Sequence, residues 1–151
     1  MWWLLEVFRL LTVSKPTEIF IVPQIKTLLL GIQEIDDAHM EIINLITETG
    51  NKLDNAEFLT FSLKCLDYIY NHFRTEEQYM ASINYPGLRI HKLAHTSLYG
   101  MMRVYLRPKE LKLFTNLEIM EECKKSLIMH IRNHDIQLAD FVNNDKLQTV
   151  A

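Results

Sequence analysis

A chain of 151 residues has the length of about one ordinary domain, which leaves little room for a separate regulatory unit. Apolar residues make up 48% and charged ones 23%, with a formal net charge of −3, so the balance is globular and offers no basic footprint for nucleic acid. Glycine and proline number four each, too few turn residues for a many-stranded sheet, so a mostly helical protein is expected.

The opening stretch, 1–30, reads as an N-terminal arm, extended around Pro16 and Pro23. Its first 13 residues are apolar, but Glu6 and Arg9 interrupt them, and the run is too short to span a bilayer. It also lacks the basic start and small-residue cleavage site of a signal peptide. Packing on the domain is the expectation for it, and docking to a membrane surface or a partner is the alternative. A first helix is expected over 35–49, with Ile35, Ile42, Ile43, Leu45 and Ile46 at spacings near three and four, and Gly50 stopping it. Asn55 has the chemistry of an N-cap, with Glu57 in the first turn, and opens a second helix expected to reach 83. Asn84-Tyr85-Pro86-Gly87 breaks the chain. A third helix over 88–106 ends before Pro108. Thr115 and Glu118 have capping-box spacing and start a fourth helix expected to run to 142, leaving 143–151 as a C-terminal tail. Four helices with short connections imply an all-α, antiparallel up-down-up-down bundle over 31–142.

The two cysteines, Cys65 and Cys123, are too few for a disulfide scaffold and fit a reducing, cytoplasmic compartment. They lie seven residues before His72 and His130, on the same helix faces, and are expected as buried core thiols.

The six histidines carry the chemistry. His72 and Glu76 stand four apart, ~40° around a helix, on a face shared with Leu66, Ile69, Phe73 and Met80. His91 and His95 repeat that spacing and are followed by Leu98 and Met102, so two imidazoles able to hold one ion point inward. Asp36 and His39 set a carboxylate and an imidazole on adjacent surface of the first helix. On the fourth helix, spacing alone pairs His130 with His134, because Asp135 would lie ~140° away on a regular helix. Buried imidazoles without partners are costly, and a shared ligand removes that cost. A histidine-rich, carboxylate-poor interior suits Fe, Zn or Cu, whereas Mg and Ca take mostly oxygen ligands. The Glu-x-x-His motif of ferritin-like di-iron sites does not occur.

With these residues in view, the chain resembles the hemerythrin family, the bacterial hemerythrins and hemerythrin-like domains in particular. The likeness covers roughly 31–142. It is carried by Gly-Ile-Gln-Glu-Ile-Asp-Asp-Ala-His over 31–39, His-Phe-Arg-Thr-Glu-Glu over 72–77, Met80, Tyr85-Pro86, His91 with His95, and His-Ile-Arg-Asn-His-Asp over 130–135. The resemblance implies a non-haem di-iron centre in which His91, His95 and His130 hold one iron, His39 and His72 hold the other, and Glu76 and Asp135 bridge the pair with an oxo or hydroxo group. It replaces His134 by Asp135, which a π-type turn would bring inward, and leaves His134 as a spare histidine on the solvent side. Two histidines leave the second iron an open position, where dioxygen would bind reversibly. The chain is then an oxygen carrier, store or sensor, and not an enzyme. The alternative on the same site is a di-iron oxidase, a peroxidase or a nitric-oxide-handling enzyme. Matching positions suggest Ile42, Ser126, Leu127 and Ile131 for the oxygen pocket. Ser126 stands where bacterial relatives usually have tryptophan, which keeps the enzyme alternative open. The usual glutamine before the first histidine is Ala38 here, and near the place of the family's first tryptophan stands Gln24.

Overall fold

The computed structural model describes residues 28–49, 54–106 and 114–149. The arm expected over 1–30 lies outside them as far as residue 27, its apolar start and Gln24 included, and so do residues 150 and 151 of the expected tail.

The described chain is helical, with no strand: α1 Gln33–Thr49, α2 Asn55–Ser82, α3 Leu88–Tyr105, α4 Asn116–His130, a π-helical turn Ile131–Asp135, and α5 Ile136–Thr149. The π turn joins α4 and α5 into one fourth rod, which runs past residue 142 to Thr149. The residues after 142 contain neither glycine nor proline to halt it. Neighbouring contacts run α1 with α2, α2 with α3, α3 with α4 and α4 with α1, closing a four-membered ring. No described helix is long and apolar enough to cross a membrane.

The caps set where each helix begins. Asp36 reaches back from α1 to accept the backbone N–H groups of Leu30 at 2.7 Å and Gly31 at 2.9 Å, tying the entering stretch of chain to the helix. Gly31 sits at φ 75°, a conformation that disfavours a side chain. The cap of α2 is Asp54 and not Asn55, because Asp54 has a glutamate three residues on. Its carboxylate accepts from Ala56 and Glu57 N–H, and the Glu57 carboxylate accepts from Asp54 N–H. Asn84, at φ 54°, and the Tyr85 N–H bonded to the Met80 carbonyl at 2.9 Å end α2 in a Schellman-type turn. Thr115 and Glu118 form the expected reciprocal box on α4.

Each helix buries one stripe: Ile35, Ile42, Ile43 and Ile46 from α1, Phe61, Cys65, Ile69, Phe73 and Met80 from α2, Leu98 and Met102 from α3, and Ile119, Cys123, Leu127 and Ile131 from the fourth rod. The spacings are those of a 3.6-residue period, so core and solvent face are separated on every rod. Both cysteines are core thiols, pushed up to about 12 by burial.

Candidate metal centre

The apolar stripes carry a polar interruption at one level. His39, His72, Glu76, His91, His95, His130 and Asp135 are all buried, Glu76 and Asp135 with no exposed surface. They come from early in α1, late in α2, early in α3 and the middle of the fourth rod, positions that share one level when short connections reverse the chain between helices. This meeting agrees with the expected alternation of helix direction.

Donor atoms of Glu76, His91, His95, His130 and Asp135 all lie within 4.8 Å of one another. Asp135 faces two ways. Its Oδ1 is 3.0 Å from His91 Nε2 and 3.1 Å from His130 Nε2, while its Oδ2 is 3.2 Å from His39 Nε2. Glu76 is also shared: its Oε2 is 3.1 Å from His95 Nε2 and 3.9 Å from His72 Nε2, and its Oε1 is 3.7 Å from His91 Nε2. His39 and His72 form a second group, rings 4.7 Å apart and edge to face. The geometry therefore sets three imidazoles on one side, two on the other and two carboxylates between.

The π turn puts Asp135 there. Ile136 N–H bonds to the Ile131 carbonyl, five residues back, so one turn holds an extra residue and the five-residue step from His130 to Asp135 returns to the same face. His134, favoured by regular spacing, is half-buried at the edge, its ring 5.0 Å from His130 and 5.9 Å from His91. Asp36, read beside His39 on the sequence, is occupied by backbone N–H groups instead of the centre.

The electrostatics favour a cation. Burial, and secondarily His39, depresses the His72 imidazole to about 3; burial also lowers His95 and His130, so these three rings are neutral at pH 7 and keep a lone pair. Burial, and then the charge of Asp135, pushes Glu76 up to about 8. Burial opposes ionisation of Asp135 too, but His130, His39 and His91 beside it outweigh burial and hold it well below the ordinary carboxylate range. Without a cation the two acids share one negative charge.

Hydrogen bonding tests whether a metal fits. His39 Nε2, His72 Nε2, His91 Nε2, His130 Nε2, Glu76 Oε1 and both Asp135 oxygens are buried with no hydrogen-bond partner. Each unsatisfied buried polar atom costs about 1–3 kcal/mol, and these all aim at one small volume. Separations near 3 Å are also what donors on one ion at ~2.1 Å adopt. Five imidazoles with two carboxylates suit a borderline transition metal and disfavour Ca or Mg.

Of the residues read as an oxygen pocket, Ile42, Leu127 and Ile131 are fully buried core. Ser126 is half-buried and lines a cleft of about 580 Å³ between α3 and α4, with Leu98, Met101, His130 and His134. Sequence reasoning assigned no role to Glu77. Its Oε1 lies 3.0 Å from His95 Nδ1 and its Oε2 3.1 Å from Lys92 Nζ. Burial opposes ionisation of Glu77, but His95 and Lys92 hold it below its ordinary value. The available signal was its place next to Glu76: a step of ~100° turns it from the centre toward α3.

Comparison with known proteins bears on the same residues. The chain is 28% identical over 127 residues to a bacteriohemerythrin of Pseudomonas paraeruginosa, covering 80% of each chain. It is 35% identical over 75 residues to a bacteriohemerythrin of Clostridium acetobutylicum, 45% of this chain and 58% of that one. It is 34% identical over 76 residues to a hemerythrin chain of Sipunculus nudus, 50% of this chain and 60% of that one. No family model and no solved structure matches. The chain is therefore a homologue of bacteriohemerythrins and of the Sipunculus nudus hemerythrin, and this kinship is consistent with a hemerythrin-family protein.

Proposed function

We propose that the chain holds two iron ions, one on His91, His95 and His130 and the other on His39 and His72, with Glu76 and Asp135 bridging them, and that it binds dioxygen reversibly there. The observation that carries this reading is the set of buried imidazole and carboxylate atoms that converge without hydrogen-bond partners. The kinship with proteins named hemerythrin supports iron over zinc or copper. Bound iron would supply reversible two-electron chemistry toward dioxygen, held by five imidazoles and two carboxylates.

The chain's own residues do the rest. Neutral imidazoles present lone pairs without first losing protons. Asp135, ionised in the interior, and Glu76, which gives up its proton when a cation arrives, balance the charge. Ile42, Leu127 and Ile131 exclude water from the interior at this level, which disfavours escape of reduced oxygen and so favours carriage over oxidation. On this reading the chain is a binding protein and not an enzyme.

The α3–α4 cleft that reaches His130 past Ser126 favours the second reading, a di-iron oxidase, a peroxidase or a nitric-oxide-handling enzyme on the same residues. One experiment tests both: load the protein with ferrous iron, measure iron per chain, and record the visible spectrum through cycles of argon and air. Two irons and a band that appears in air and vanishes under argon support carriage. A band lost within a cycle, with catalytic consumption of peroxide, supports the enzyme. Iron well below two per chain refutes both.

A further inference from the structure

Among the imidazoles at the centre, His95 stands apart because both of its ring nitrogens are engaged. Nδ1 meets Glu77 Oε1 at 3.0 Å and Nε2 meets Glu76 Oε2 at 3.1 Å. By contrast, Nδ1 of His39 and of His91 is buried and has no partner. The plane of the His95 ring is also fixed, since it stacks on Phe73 with centroids 4.0 Å apart and an interplanar angle of 8°.

We infer that Glu77 is a positioning residue: it accepts the Nδ1 proton of His95 and thereby aims the Nε2 lone pair into the centre. A carboxylate paired with a lysine can only accept, so Nδ1 must be the donor, and a neutral imidazole has no second proton to place on Nε2. The alternative tautomer would direct N–H at the very point where a cation is to sit, and would leave the Glu77 oxygen facing a lone pair. Glu77 meets no ion itself. Its two oxygens divide the work, one holding His95 and the other held by Lys92, whose ammonium lies on the turn of α3 between His91 and His95. Second partners of this kind raise the basicity of a ligating ring and fix its orientation, and their removal costs about 10–100-fold in metal affinity.

The inference rests on the metal reading, and its test separates the two. In metal-free, nitrogen-15-labelled protein at pH 7, long-range proton–nitrogen correlation is expected to show His95 protonated on Nδ1. Glu77→Leu, which removes the acceptor at similar volume, is expected to lose that preference and to bind cobalt(II), measured by chelator competition, roughly 10–100-fold more weakly. Glu77→Gln keeps a carbonyl acceptor and is expected to restore the tautomer and bring affinity to within a few-fold of the parent chain. Lys92→Met is expected to leave the tautomer unchanged. The inference is overturned if His95 in the parent chain is protonated on Nε2, if Glu77→Leu alters neither tautomer nor affinity, or if Glu77→Gln is as impaired as Glu77→Leu. A parent chain that takes up neither cobalt nor iron overturns the metal reading, and the tautomer of His95, which needs no metal, still decides the hold of Glu77.

Discussion

Replacing Glu76 by glutamine should make the metal-free protein more stable while weakening its grip on metal. Glu76 has no exposed surface, and burial together with Asp135 raises its carboxyl from an ordinary 4.5 to about 8. Between pH 4.5 and 8 the folded chain therefore holds a proton that the unfolded chain releases, so stability falls as pH rises through that window. At about 1.4 kcal/mol per pH unit, the loss accumulated from pH 4.5 to pH 7 is about 3 kcal/mol. Glutamine has the shape of the protonated acid. Its amide can donate to His95 Nε2 where the acid proton would, across the 3.1 Å separation, and it has no charge to lose. Urea melts of metal-free protein are expected to show Glu76→Gln and the parent chain equal near pH 4.5, with the variant ahead by about 3 kcal/mol at pH 7, roughly 6–12 °C in Tm. Metal uptake at pH 7 should fall in the same variant, because a neutral amide replaces a shared anionic ligand. A parent chain as stable as Glu76→Gln at both pH values would refute the argument that an ionisable group is held at a cost in the empty interior.

Three further outcomes follow from single contacts. Leu127→Ala empties a fully buried position and is expected to cost about 2–5 kcal/mol in a urea melt. Asp54→Ala removes the acceptor for two N–H groups at the start of α2 and is expected to cost about 1 kcal/mol, with hydrogen exchange rising in the first turn of that helix. His134→Ala should leave iron per chain unchanged, whereas His91→Ala should lower it, since His91 lies 3.0 Å from Asp135 and His134 only borders the cluster.

The four rods were legible because each buries a stripe whose period is visible without coordinates, from Ile35 to Ile46 in α1 and from Ile119 to Ile131 in the fourth rod. Boundaries were less so. Asn55 and Asp54 are both good caps, and only the reciprocal bond from Glu57 decides between them. At the centre, His91 with His95 and His72 with Glu76 were legible as pairs four apart, whereas His39 was read beside Asp36 and His130 beside His134, and neither Asp36 nor His134 joins it. Asp135 was not legible from spacing, because a regular period points His134 inward; motif resemblance named it. Glu77 was missed because its partner is on another helix, and contacts between rods leave no periodic trace in a single sequence.

The π turn gives a last argument about how the fold reaches its geometry. If the turn is one residue wider than α, then removing a residue inside it should return the rod to regular winding and keep both halves in phase. Asn133 is exposed, and its carbonyl accepts the Gln137 side-chain amide at 2.6 Å, a contact at the surface of the rod, so it is the residue to delete. After deletion the acid follows His130 by four positions, ~40° around a regular helix, and still faces inward. Leu138, Ala139 and Val142 beyond it keep the faces they now bury. Inserting one alanine after Asn133 does the opposite, turning everything beyond the turn by about 100° and carrying Leu138 toward solvent. The deletion is thus expected to fold with helical dichroism and a urea midpoint near those of the parent chain, and the insertion to lose several kcal/mol. Deletion as damaging as insertion would mean that the turn is not a one-residue bulge in an otherwise regular rod, and that Asp135 is brought inward by its surroundings and not by the count of residues.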